Sequence, residues 1–153
     1  MKIRVVFIAA GVWLAAARVL DVVHPPRVYA PETTALKAIQ TLNTAQVQYN
    51  SQYGRFARSL TELGRPVSRT ENASAAGLIP TDLAASAKQG YRFTLRGMPA
   101  GYAVTAVPVL FGNTRSRTFY SDQTLTIREN YGPEAATADS PEVGSLWSRV
   151  WPK

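Results

Sequence analysis

Arginine is the residue type whose placement in this sequence comes closest to outlining a site. Near pairs stand at Arg55/Arg58, Arg65/Arg69, Arg92/Arg96 and Arg115/Arg117. Arg92 and Arg96 fall on the polar positions of an alternating segment, so both are expected on the solvent side of one strand. Arg115 and Arg117 are expected beside a loop at the sheet edge. Brought together, these four guanidiniums would form a strip for anions: DNA, a polysaccharide or lipid headgroups. Kept apart, they would form a solvated sheet face whose aliphatic stems cover apolar surface. Interspersed acidic residues favour the second arrangement.

Other chemistry has little to work with. The chain has no Cys and one His, His24. This removes thiol nucleophiles, disulfides and Cys-ligated metals, together with a Ser-His-Asp triad in the body of the chain. Asp122 and Glu129 would have to face each other across a cleft to act as a catalytic pair. An Asp beside a hairpin turn more often accepts bonds from its own backbone. The Asp/Asn-rich spacing of a calcium loop is missing around Asp122. No catalytic, cofactor-binding or metal-ligating residue is therefore expected, and no small-molecule substrate. Trp147 and Trp151 lie four apart and would share one face of a helical tail, with Arg149 and Lys153 nearby. That face would rest on a membrane interface, fill a partner's groove or fold back on its own sheet. The expected contact residues are Arg92, Arg96, Arg115, Arg117, Trp147 and Trp151.

The charge is uneven along the chain. Of the net +7 over 153 residues, residues 1–30 carry +3 through Lys2, Arg4, Arg18 and Arg27 against Asp21. The other residues carry only +4, a weak field for nucleic acid. Lys2 and Arg4 precede a thirteen-residue run, residues 5–17, that includes Val5, Val6, Phe7, Ile8, Trp13 and Leu14. A basic start and an apolar core of this length match a bacterial secretory signal, since a membrane span needs about 20 residues. Val19, Leu20, Val22 and Val23 extend the run toward spanning length, interrupted by Arg18 and Asp21. Residues 1–23 are thus a signal peptide, with Ala15 and Ala17 offering a cut after Ala17, or a retained membrane anchor. Either way the rest is expected outside the cytoplasm, tethered to the inner membrane or released into the periplasm or medium.

The elements that must position these residues follow from periodicity. Residues 24–31 hold Pro25, Pro26 and Pro31 and read as a stiff spacer. Leu36, Ile39, Leu42, Ala45, Tyr49 and Tyr53 then recur at spacings of three and four, the stripe of a helix of about 20 residues. Gln40, Asn43, Gln46, Gln48 and Asn50 are assigned to its other faces, and Gly54 to its C-terminal cap. Residues 54–90 are irregular, with Phe56, Leu60 and Leu63 as anchors. Strands are expected over 91–96, 102–109, 118–121 and 125–128, the last two joined by a turn at Asp122-Gln123. Tyr49, Tyr53, Phe56, Tyr91, Phe93, Tyr102, Phe119 and Tyr120 are expected to pack the core. The sum is α+β: one long amphipathic helix packed on a small antiparallel sheet, over residues 32–140, followed by a tail at 141–153.

This order of features resembles the globular half of type IV pilins and type II secretion pseudopilins. Residues 35–49 look like the second half of the pilin spine helix. Tyr53-Gly54-Arg55-Phe56-Ala57 with Ser59-Leu60-Thr61-Glu62-Leu63 is similar to the phrase "YGxFAxSLxxL" that follows it. Gly90-Tyr91-Arg92-Phe93 and residues 102–108 resemble the first two strands. Residues 119–128 resemble the last hairpin, "FxxDxxGxIR", with Leu125 at the position of the usual Gly. The resemblance spans roughly residues 32–140 and does not extend to a recognisable prepilin peptidase site. Gly11 is followed by Val12 and Trp13, and Ala16 stands where the family carries Glu. The resemblance implies a non-enzymatic, exported head domain that works through protein–protein contacts with other envelope or pilin-like proteins. The alternative is a secreted or periplasmic binding module for DNA or glycan.

Overall fold

A computed structural model describes residues 30–68, 70–111 and 117–145. The apolar segment containing Val5, Val6, Phe7, Ile8, Trp13 and Leu14 lies outside the described residues, as do Arg115, Trp147 and Trp151.

Helix α1 runs over Ala30–Tyr53. It takes in the last two residues of the expected spacer, which places Pro31 in its first turn. Proline suits that turn because its missing N–H would have had no partner there and its φ is already helical. Gly54 ends the helix at φ +70, with its N–H donating to the Asn50 carbonyl at 2.9 Å. Among the described residues, no helix is long and apolar enough to cross a membrane.

Two single-turn helices follow, α2 (Leu60–Leu63) and α3 (Thr81–Ala84), in the segment expected to be irregular. Ser59 caps α2 by accepting from the Glu62 N–H. Then come β1 (Ala87–Lys88), β2 (Tyr91–Met98), β3 (Gly101–Pro108), β4 (Thr118–Asp122) and β5 (Ile127–Asn130). They form one antiparallel meander in chain order, five strands where four were expected. The last strand begins at Ile127 rather than Leu125. Leu125 has φ +64, which takes it out of strand geometry and into the turn.

Helix α1 lies on one face of this sheet. Ile39, Leu42 and Tyr49 are fully buried against Tyr102, Phe93, Val104 and Phe119, with Leu60, Leu63, Ile79 and Leu83 closing the side. Tyr53 and Phe56 are partly buried against this core, and Phe56 meets Tyr102 with ring centroids 5.1 Å apart. Tyr120, expected inside, points to the other face of the sheet, opposite Thr105 and Arg128. Both sheet edges are blunted. The Phe93 N–H donates to Ser86 O beside β1, and the Gly97 N–H faces Arg58 O. On the far side, Glu129 N–H donates to Pro141 O and Val143 N–H to Ile127 O, so residues 141–143 cover β5. Covered edges cannot recruit another strand. They also carry the folded unit beyond residue 140, into what was expected to be a tail.

The polar residues of α1 divide differently from the expectation. Asn43 and Gln46 are buried rather than on an outer face. The Gln46 side chain pairs with both backbone groups of Ala57: its Nε2 donates to the carbonyl at 3.0 Å and its Oε1 accepts the N–H at 2.8 Å. Asn43 Nδ2 donates to Ser121 Oγ at 2.8 Å, and Tyr102 donates its hydroxyl to Asn43 Oδ1 at 3.0 Å. These bonds fix how far along the sheet the helix sits. Burial, with the nearby Asp122 charge, pushes the Tyr102 phenol up to about 12, so it stays a donor at any ordinary pH.

Candidate contact surface

The face of the sheet turned away from α1 is the surface the sequence pointed to. Along β2, Tyr91, Phe93 and Leu95 are buried while Arg92, Thr94 and Arg96 are exposed. Strand register sets their neighbours: Arg92 opposite Val107, Thr94 opposite Thr105, and Arg96 opposite Ala103. Thr105 is in turn opposite Tyr120, and Tyr120 opposite Arg128. The outer face therefore carries Arg92, Arg96 and Arg128 around a threonine and tyrosine centre.

The three cations are not equivalent. Arg128 donates to the Ser140 carbonyl at 2.9 Å and reaches Glu142 at 3.7 Å, tying down the segment that covers β5. Arg92 and Arg96 form no ion pair among the described residues. Asp122 does not answer them either. Its Oδ1 accepts from the N–H of Thr124 at 2.9 Å and from the Thr124 hydroxyl at 2.6 Å, while its Oδ2 accepts from Tyr120 at 3.2 Å. Partial burial would raise its carboxyl, but these bonds and the Arg128 charge outweigh that and hold it below the ordinary range. Asp122 builds its own turn on the outer side of the sheet, while Glu129 stands opposite Phe119 on the inward side.

Arg117 does not belong to this surface. It is buried, and its guanidinium bridges Glu32 on α1 (Nη2 at 3.0 Å, Nε at 3.1 Å) and Glu129 on β5 (Nη1 at 2.5 Å). Its backbone N–H also donates to Glu32, and its carbonyl accepts the Tyr91 hydroxyl. Phe119 and Tyr131 hold the guanidinium against their rings. Desolvation works against its charge, and the two carboxylates more than compensate. The expectation of a surface role fails because Arg117 is in step with Phe119 and Ser121, the inward positions of β4. That alternation was readable in the sequence. Glu32 lies seven residues before Ile39 and so shares the buried stripe of α1, although its charge argues for an outward position.

One acceptor in this cluster stands alone: Glu129 Oε1 is buried with no hydrogen-bond partner among the described residues. No group of His, Cys, Asp and Glu among the described residues is arranged to hold a metal ion.

At the end of the sheet where Tyr91, Pro108 and Thr118 lie, the chain leaves β3 through Val109, Leu110 and Phe111, all exposed. On the exposed side of α1, Lys37, Gln40, Thr41, Thr44 and Gln48 line a shallow open groove with Leu78 at its rim. The Thr41 and Thr44 hydroxyls donate back to helix carbonyls, so their protons are already committed.

Comparisons with protein-family models, curated proteins and solved structures find no match to this chain.

Proposed function

We propose that this chain is an exported, non-enzymatic, pilin-like head domain that acts by protein–protein contact in a bacterial envelope, pilus or secretion-type assembly. The observation that carries this reading is the outer sheet face. Arg92 and Arg96 stand exposed there without ion-pair partners among the described residues, while Tyr120, Asp122 and Arg128 on the same face are engaged within the fold. Surface arginines left unpaired on an edge-capped sheet suit a protein contact, where guanidinium groups are favoured anchors. Residues 1–23 would supply export and, if retained, a tether to the inner membrane.

Intact mass and N-terminal sequencing of the protein from fractionated bacterial cells test the export part. A start at Met1 in the membrane fraction, or at Arg18 in the periplasm or medium, agrees with it. The full chain in the cytoplasmic fraction contradicts it.

The same two arginines favour a second reading, a periplasmic or secreted module for an anionic polymer. Two phosphate contacts would give a slope of about −1.8 for log affinity against log salt on duplex DNA. A stoichiometric protein partner whose binding survives moderate salt would set this reading aside.

A further inference from the structure

Three register relationships place separate parts of the chain at one end of the domain. Glu32, in the first turn of α1, meets Arg117, just ahead of β4. Pro108, at the end of β3, is opposite Tyr91, at the start of β2. The Val109 N–H donates to Gly90 O in the turn before β2. The chain therefore comes into the fold, from its basic and apolar first residues, at the same end where it leaves β3 through Val109, Leu110 and Phe111.

Those three residues are the longest exposed apolar run among the described residues: Leu110 is 86 % exposed, Val109 53 % and Phe111 44 %. Met98, a large exposed apolar residue of the sheet, lies at the opposite end, in the turn where it pairs with Gly101. Arg92 stands on the outer face next to this apolar run, opposite Val107. Among the described residues two exposed carboxylates lie toward this end: Asp82 beside β1, paired with Lys88 at 2.9 Å, and Glu134, whose backbone carbonyl accepts from Thr118 on the far side of the sheet from Arg92.

We propose that Val109, Leu110 and Phe111 dock on the surface of the lipid bilayer that holds the N-terminal segment, with Arg92 facing anionic headgroups. This inference rests on the reading of residues 1–23 as a retained anchor. Three side chains are too few to bind a membrane by themselves. Tethered, they need not: the few residues between Val23 and α1 hold them at high local concentration near the bilayer. Apolar side chains then enter the interface, and a cation beside them gains from the negative surface potential. The domain would lie with this end against the membrane and the Met98 end directed away from it.

The absence of native cysteine makes the test direct. Full-length chains carrying Leu110→Cys or Met98→Cys are labelled with an environment-sensitive fluorophore. They are then reconstituted into vesicles of phosphatidylethanolamine and phosphatidylglycerol with and without spin-labelled lipid. The expected result is a blue shift and loss of emission on spin-labelled lipid at position 110, with neither at position 98. Vesicle-bound protein with no quenching at 110, or equal quenching at both positions, overturns the proposal while leaving the anchor in place. Failure of the chain to associate with vesicles at all overturns the anchor, and the proposal with it.

Discussion

Arg117, just ahead of β4, and Glu129 on β5 are joined side chain to side chain inside the protein, and Glu32 of α1 grips the same guanidinium from the helix side. The first turn of the helix is thereby tied to two strands by one cation. Replacing Arg117 with Met should strand two buried carboxylates. The expected loss is about 3–5 kcal/mol of folding stability, read by urea unfolding. Arg117→Lys should recover only part of it, because an ammonium group cannot reproduce the guanidinium fork between two acids. Combining Arg117→Met with Glu32→Leu and Glu129→Leu should restore much of the loss, as apolar replacements of whole buried ionic clusters do.

Gln46 substitutes for a strand neighbour by bonding both backbone groups of Ala57. Gln46→Ala should cost about 1–3 kcal/mol for each backbone group left without a partner, in addition to the cavity. Hydrogen exchange at the Ala57 amide should accelerate in the same variant, which separates this local effect from a global loss.

Leu125 holds a left-handed backbone conformation, φ +64, while half its side-chain surface is in solvent. Leu125→Gly should therefore stabilise the protein, by about 0.5–1 kcal/mol after the added flexibility of glycine is counted. A lower denaturation midpoint for this variant would contradict the account of the turn.

The pH dependence should come in part from Glu62. Partial burial would raise its carboxyl, but Arg55 at 2.8 Å, the Arg58 N–H at 2.9 Å and the Tyr49 hydroxyl at 3.1 Å outweigh that and lower it. A carboxyl lowered by folding stabilises the protein above its ordinary range, and this contribution is lost as pH falls through the depressed value. Unfolding followed from pH 7 down to pH 2 should show stability falling on the acid side. Glu62→Gln should be less stable near neutrality and should flatten that fall.

Much of the architecture was legible because it follows from period. The three-and-four spacing from Leu36 to Tyr49 gave the helix, and the alternation from Tyr91 to Arg96 gave the inner and outer faces of β2. Less legible was what polar residues do when they fall on an apolar stripe. Glu32, Asn43 and Gln46 keep the phase of Ile39 and Leu42, yet their polarity alone assigns them outward. Their partners, Arg117, Ser121 and Ala57, come from distant parts of the chain, and local pattern cannot specify such pairs. The last strand was displaced for a different reason. Leu125 gives no chemical sign that it occupies a position suited to glycine.

The central claim, that the outer sheet face makes a protein contact, is tested most directly by photo-crosslinking in bacterial cells. A photoreactive residue replaces Arg96 on that face or Gln48 on the exposed side of α1, both outward-facing positions. The account expects a discrete adduct of defined mass from position 96 and none from position 48. No adduct from position 96, or the same adducts from both positions, would contradict it.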